Sequence, residues 1–123
     1  MKWKEWNVIA QNENFWVNYE ERGLLKAVHK KDYILELWFE DDLDVSIYEL
    51  DFYQLLIEDD PGDIFLFLRN KELFKNVIGN YSLMWKKTNE DTGIDIAPEC
   101  VRFFCERYGK LLKGKSDKIV NIN

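Results

Sequence analysis

A chain of 123 residues is about one domain's worth, and 46% hydrophobic with 15% aromatic residues is material for a packed core rather than a disordered tail. No apolar run approaches the roughly 20 residues of a membrane helix, and residues 1–6 lack the apolar stretch of a signal peptide, so a soluble, cytoplasmic protein is expected. The net charge of −6 is unevenly laid out: residues 1–31 carry 6 basic and 4 acidic side chains (+2), residues 32–63 carry 12 acidic and none basic (−12), and residues 64–123 carry 11 basic and 7 acidic (+4).

Phe15-Trp16-Val17 suggests a strand in an N-terminal extension (residues 1–23), ahead of a single domain over residues 24–123. Leu24 to Lys30 alternates weakly. Tyr33 to Glu40 alternates more clearly, with Tyr33, Leu35, Leu37 and Phe39 on one face and Ile34, Glu36, Trp38 and Glu40 on the other. Trp38 therefore implies either that both faces of the sheet are covered or that this tryptophan marks an interaction patch. Asp41-Asp42 reads as a hairpin turn. Leu43 to Leu50 follows, expected to turn Leu43, Val45 and Ile47 inward and Asp44, Ser46 and Tyr48 outward, which completes a three-strand meander.

The period then changes. Asp51 is placed to cap a short helix burying Phe52, Leu55 and Leu56. Asp59-Asp60-Pro61-Gly62 is a turn. Ile64 to Leu68 is too short for periodicity to decide its type. Asn70 is placed to cap Lys71 to Lys75, Tyr81 to Lys86 reads as a strand, and Thr88 to Gly93 as a loop. The clearest helix starts at Pro98, with Glu99 complementing its dipole. Val101, Phe104, Cys105, Tyr108, Leu111 and Leu112 form its apolar stripe, and Gly109 or Gly114 stops it. Strands followed by small helices and a terminal helix point to an α+β fold: a small antiparallel β-meander with short helices and a C-terminal helix.

The motifs that would carry chemistry are sparse. Cys100 and Cys105 lie about 7.5 Å apart along the predicted helix and point in different directions, so no disulfide is expected. The two cysteines fit a reducing compartment. A dyad of either cysteine with His29, the only histidine, lacks any local signature, and a structural histidine is the simpler reading. Asp41-Asp42-Leu43-Asp44 lacks the glycine and distal glutamate of a calcium loop. Nucleotide-binding glycine fingerprints are absent, and no metal or cofactor is implied. Arg102, Arg107, Lys110, Lys113, Lys115 and Lys118 could contact phosphate, but the −12 segment opposes it, and nucleic acid is not the expected partner.

The run from Leu24 to about Leu112 resembles the bacterial family known as domain of unknown function 2442. The residues that carry the resemblance are Asp32 to Asp41, Val45 to Asp51 and Leu68-Arg69-Asn70-Lys71-Glu72-Leu73-Phe74. Trp85 and the closing Gly93-Ile94-Asp95-Ile96-Ala97-Pro98-Glu99 complete it. The loop from Trp85 to Gly93 is longer than the family's, and Asp42 stands where a turn glycine is common. The resemblance implies a small α+β domain without known catalytic residues, in some cases paired with a small protein in a toxin–antitoxin-like arrangement. Trp85, Gly93, Asp95 and Pro98 are then structural. Gly93 would supply a positive φ, Asp95 would accept amide hydrogens at the helix entrance, and Trp85 would pack beneath it.

A like-charged run is ordinarily a solvated face. Its alternative is a docking edge for a basic protein, here Asp41, Asp42, Asp44, Asp59, Asp60 and Asp63. The leading expectation is a non-enzymatic interaction domain, antitoxin-like toward a small basic protein. A small hydrolase or ligand-binding protein and a transcription regulator are the alternatives, and self-association is open.

Overall fold

A computed structural model describes residues 1–20, 22–41, 44–86 and 93–114. Asp42, Leu43, Lys115, Lys118 and most of the predicted 88–93 loop lie outside them. The chain opens with two helices, α1 (Lys2–Ala10) and α2 (Glu13–Asn18). The strand expected at residues 15–17 is therefore a helix. Three apolar residues in a row do not fix a period, and the Asn12 side chain accepts the Asn14 amide and starts the helix. Phe15 is fully buried, edge-on to Trp6 and Trp16. Trp3, Trp6 and Ile9, at helical spacing on α1, pack on the core. These first residues thus share the core of the rest of the chain.

The fold is α+β. Strands β1 (Leu24–Lys31), β2 (Ile34–Glu40) and β3 (Val45–Asp51) form the expected antiparallel meander, in which Leu37 faces Tyr48 and Glu40 faces Val45. The hairpin turn is closed by the Asp41 amide donating to the Asp44 carbonyl at 3.0 Å. Tyr33 falls in the β1–β2 turn, yet its ring stays buried, as do Leu35, Leu37 and Phe39. The facing of β3 differs from expectation. Ser46, Tyr48 and Leu50 are buried, Ile47 on the opposite face is buried as expected, and Val45 is only half-buried. The cause is a later helix that covers the Ser46–Tyr48 face and supplies a polar partner.

Two short helices and a tight 3-10 segment follow: α3 (Tyr53–Leu56), the 3-10 segment (Asp63–Arg69) and α4 (Lys71–Phe74). The Asp51 carboxylate accepts the Tyr53 amide at 3.0 Å. Asn70 Oδ1 accepts the amides of Glu72 at 2.9 Å and Leu73 at 3.4 Å, the capping expected of it. Replacing Asn70 with alanine is expected to cost about 1 kcal/mol, read as a lower urea midpoint at unchanged m-value.

A second sheet orders β4 (Val77–Asn80), β5 (Ser82–Lys86) and β6 (Gly93–Ile96), all antiparallel. Of these, β5 matches the strand expected over Tyr81 to Lys86. It meets the first sheet where Leu24 and Tyr81 exchange backbone hydrogen bonds. A Cβ on Gly79 would stand 2.4 Å from the Ala27 nitrogen, so the two sheets approach too closely there for any side chain. Helix α5 (Pro98–Tyr108) starts at proline as expected and stops at Gly109. Leu111 and Leu112 are not on its stripe. They belong to β7 (Lys110–Lys113), which pairs antiparallel with β3 and completes the order β1-β2-β3-β7. Among the described residues, no helix is long and apolar enough to cross a membrane.

Candidate functional site

The acidic block is met inside the molecule by both basic flanks. Arg22 reaches Asp41 at 3.2 Å, Lys30 reaches Glu36 at 3.3 Å, Lys71 reaches Asp32 at 3.2 Å and Lys113 reaches Asp44 at 3.5 Å. Asp41 also accepts the Ser46 hydroxyl at 2.9 Å. A bond from Trp38 and the Lys30 ammonium hold the Glu36 carboxyl below its usual pKa, although partial burial opposes them. Trp38 is half-buried, with the Lys26 ammonium 3.8 Å from its ring centroid, so a cation covers part of its face.

Of the six aspartates expected on one edge, the five among the described residues fall into two sets. Asp41 and Asp44 belong to the β2–β3 turn with the partners above. Asp59 and Asp60 belong to the segment between α3 and the 3-10 segment, and Asp63 opens the latter. Asp59 is only 8% exposed. Its carboxylate accepts the Trp3 amide at 3.1 Å and the Asp60 amide at 2.8 Å, while Trp3 Nε1 donates to the Leu55 carbonyl at 2.8 Å. Asp59 therefore anchors α1 and is not a solvated charge. Burial works against this carboxylate, but the amide bonds outweigh it and its pKa is lowered. A lowered pKa stabilises the fold above the unfolded value, near 3.9, and that stability is lost as pH falls through the folded value. Asp59→Ala is expected to cost about 1–3 kcal/mol at pH 7 and to flatten the acid limb of a stability–pH profile below about pH 4.

Asp95 does not cap α5. It lies on β6 opposite Met84 and is approached by the Ser82 hydroxyl at 3.4 Å. The residue at the helix entrance is Ala97, which makes no side-chain cap. Gly93 is needed for a close approach rather than a positive φ, since a Cβ there would stand 2.6 Å from the Trp85 carbonyl oxygen. Trp85 is buried, donates Nε1–H to the Phe74 carbonyl at 2.7 Å, and packs among Phe52 and Phe74.

Arg102 is not on a basic surface. It is 1% exposed and its Nε reaches Glu106, itself fully buried, at 3.0 Å. The guanidinium stands 4.9 Å from the ring centroids of both Phe39 and Tyr48, and the Tyr48 hydroxyl donates to the same Glu106 oxygen. Burial, and then the Glu106 bond, pushes the Tyr48 phenol well up. Arg107 remains near the surface with Glu5 at 3.4 Å. The histidine and cysteines are also apart. His29 Nε2 pairs with the Asp32 carbonyl at 2.9 Å and its ring meets Phe74. Cys100 and Cys105 are free thiols buried on α5, and burial raises both pKa values. No hydrogen bond joins His29 to either cysteine among the described residues.

What the fold does assemble is an open cleft of about 600 Å³ between α1, the 59–63 turn and the β6–α5 junction. Its apolar lining includes Trp3, Trp6, Trp16 and Phe65. Trp3 stacks on Phe65 at 5.4 Å, and Trp6 meets Trp16 edge-on at 6.4 Å. The Trp16 Nε1–H donates to the Ala10 carbonyl at 2.7 Å, which fixes that ring. Asp60, Asp95 and Glu99 also line the cleft, against one lysine, Lys4. Asp60 and Asp95 were singled out from sequence, for other roles. The tryptophans were not, because their grouping depends on α1 and α2 docking against the start of α5. Such a lining suits a cation carried on an apolar stem, since aromatic faces and carboxylates both attract positive charge. No family model matches this sequence, and no curated protein or solved structure is significantly similar to it.

Proposed function

We propose that this chain is a non-enzymatic binding module for a basic protein segment, seated in the tryptophan-lined cleft. The observation that carries the reading is the cleft's composition: four aromatic rings with three acidic residues against Lys4 and the Met1 amino group. The hairpin aspartates serve this role less well, because Asp41 and Asp44 already hold Arg22 and Lys113. A small basic protein as partner, in an antitoxin-like pairing, agrees with this charge and with the resemblance to domain of unknown function 2442. We keep that membership as part of the proposal, resting on Trp85 and the Gly93–Glu99 run. The two free thiols favour a cytoplasmic setting.

The test is a tryptophan-fluorescence titration with acetylated, amidated pentalysine at low and high salt. Binding that weakens with salt is expected. Asp60→Asn combined with Glu99→Gln should weaken it about tenfold, since each lost charge contact is worth roughly 0.2–1 kcal/mol. Asp44→Asn should leave it unchanged. Loss through Asp44 but not through the cleft pair would move the site to the hairpin.

A further inference from the structure

The rings that line the tryptophan cleft are held in place by the chain itself. Trp3 Nε1–H donates to the Leu55 carbonyl and Trp16 Nε1–H to the Ala10 carbonyl. Both indoles are therefore fixed without a ligand, and what they have left to offer one is their π-systems. Trp16 is 41% exposed, while Trp3, Trp6 and Phe65 are half-buried.

The arrangement of these rings discriminates between cations. A flat guanidinium is gripped best between two parallel rings about 7 Å apart, twice the contact distance between carbon atoms. The near-parallel pair, Trp3 and Phe65, stands at 5.4 Å and 19°, too close to admit one. Trp6 and Trp16 instead cross at 74° with centroids 6.4 Å apart. Rings set nearly at right angles suit a round cation, which has no preferred plane. A lysine ammonium is compact and strongly hydrated, with three N–H groups to satisfy. Asp60 and Asp95 are exposed and can satisfy them in water, which holds that cation at the wet rim. A trimethylammonium group has no N–H, sheds water at lower cost and carries its charge on methyl groups that pack on aromatic rings. The acidic residues of the cleft still attract it through space.

We infer that the cleft selects a trimethylammonium group, carried as a trimethylated lysine within the basic segment. This rests on the reading of the cleft as a seat for basic segments and adds the chemical form of the residue seated there. The rings recognise the methylated cation, and the flanking lysines answer Asp60, Asp95 and Glu99.

The experiment compares three acetylated, amidated pentapeptides on the full chain by isothermal titration calorimetry. One is pentalysine, and the second has its central lysine trimethylated. The third is a neutral isostere with a tert-butyl group in place of that trimethylammonium. Trimethylation leaves the charge unchanged and should tighten binding about tenfold. The isostere should bind no tighter than pentalysine, because the rings attract the charge and not the methyl groups alone. Choline chloride alone should bind about 100-fold more weakly than the trimethylated peptide, since it lacks the flanking charges. Trp16→Leu, checked for folding by circular dichroism, should cut the trimethyl preference to less than about threefold. Equal binding of the trimethylated peptide and either of the other two would overturn this inference while leaving the cleft as a site for basic chains. An undiminished preference in Trp16→Leu would overturn it as well. Choline as tight as the trimethylated peptide would overturn the peptide as carrier. Failure of every ligand to bind would overturn both readings.

Discussion

Arg102→Ala should lower the free energy of unfolding by about 3–5 kcal/mol, a large part of what a domain of this size has. The reason is the partner left behind. Glu106 is fully buried, and its described donors are Arg102 and the Tyr48 hydroxyl. Without the guanidinium its charge is no longer balanced in a low-dielectric site between β3 and α5, under the rings of Phe39 and Tyr48. Glu106→Ala should be comparably severe, because it strands the arginine. The triple replacement Arg102→Met, Glu106→Leu and Tyr48→Phe removes all three polar groups together. It should recover most of the loss, since a well-packed apolar substitute for a buried ion pair is often neutral or better. Urea unfolding of the three variants checks this. Single variants no weaker than the triple would show that the pair is solvated in solution and contributes little.

Trp85→Ala is the second large effect, expected at about 3–5 kcal/mol. Trp85 stands 1% exposed, with Phe74 at 5.6 Å and Phe52 at 6.2 Å. Truncation opens a cavity at the junction of the second sheet with α4 and removes the Nε1–H bond to the Phe74 carbonyl. Trp85→Phe keeps most of the ring volume and loses that bond, for a smaller cost of about 1–2 kcal/mol. Near-UV circular dichroism with urea melts would separate loss of packing from loss of the bond. An alanine variant within 1 kcal/mol of the parent would mean that the aromatic cluster closes over the gap.

The β1–β3 meander could be read from sequence because β2 alternates cleanly and Asp41 stands at the turn. Of the second sheet only β5 could. Strands β4 and β6 have four residues each, and Gly79 and Gly93 break any apolar pattern while fitting the backbone to its neighbours. The β3 facing failed for a different reason. Period-two reading assigns polar residues to solvent, but Ser46 and Tyr48 point at Asp41 and Glu106, whose positions depend on long-range packing. Arg102 misled in the same way, as a cation read as surface whose counter-charge lies one helical turn on, in the core. The end of α5 was overrun because Leu111 and Leu112 continue its spacing past Gly109, although the chain there pairs with β3.

The charge pattern was legible as a sum but not as a surface. The −12 block over residues 32–63 meets basic residues from both flanks, Arg22, Lys30, Lys71 and Lys113, so its sequence contrast does not describe an equally acidic face. Asp60 stays exposed, and it joins a cleft whose other carboxylates, Asp95 and Glu99, come from outside the block. The candidate site therefore depends on α1, which Asp59 fastens through the Trp3 amide. The dependence links stability to binding: Asp59→Ala should weaken pentalysine binding even though Asp59 itself does not line the cleft.

The most direct test of the cleft as the binding seat is amide and indole chemical-shift mapping of the full chain on titration with acetylated, amidated pentalysine. The account predicts shifts at the indole N–H groups of Trp3 and Trp16 and at the backbone amides of Ile96, Ala97, Glu99 and Cys100, with Asp41 and Asp44 unmoved. Shifts centred on Asp41 and Asp44, with the tryptophan indoles and β6 unchanged, would contradict it.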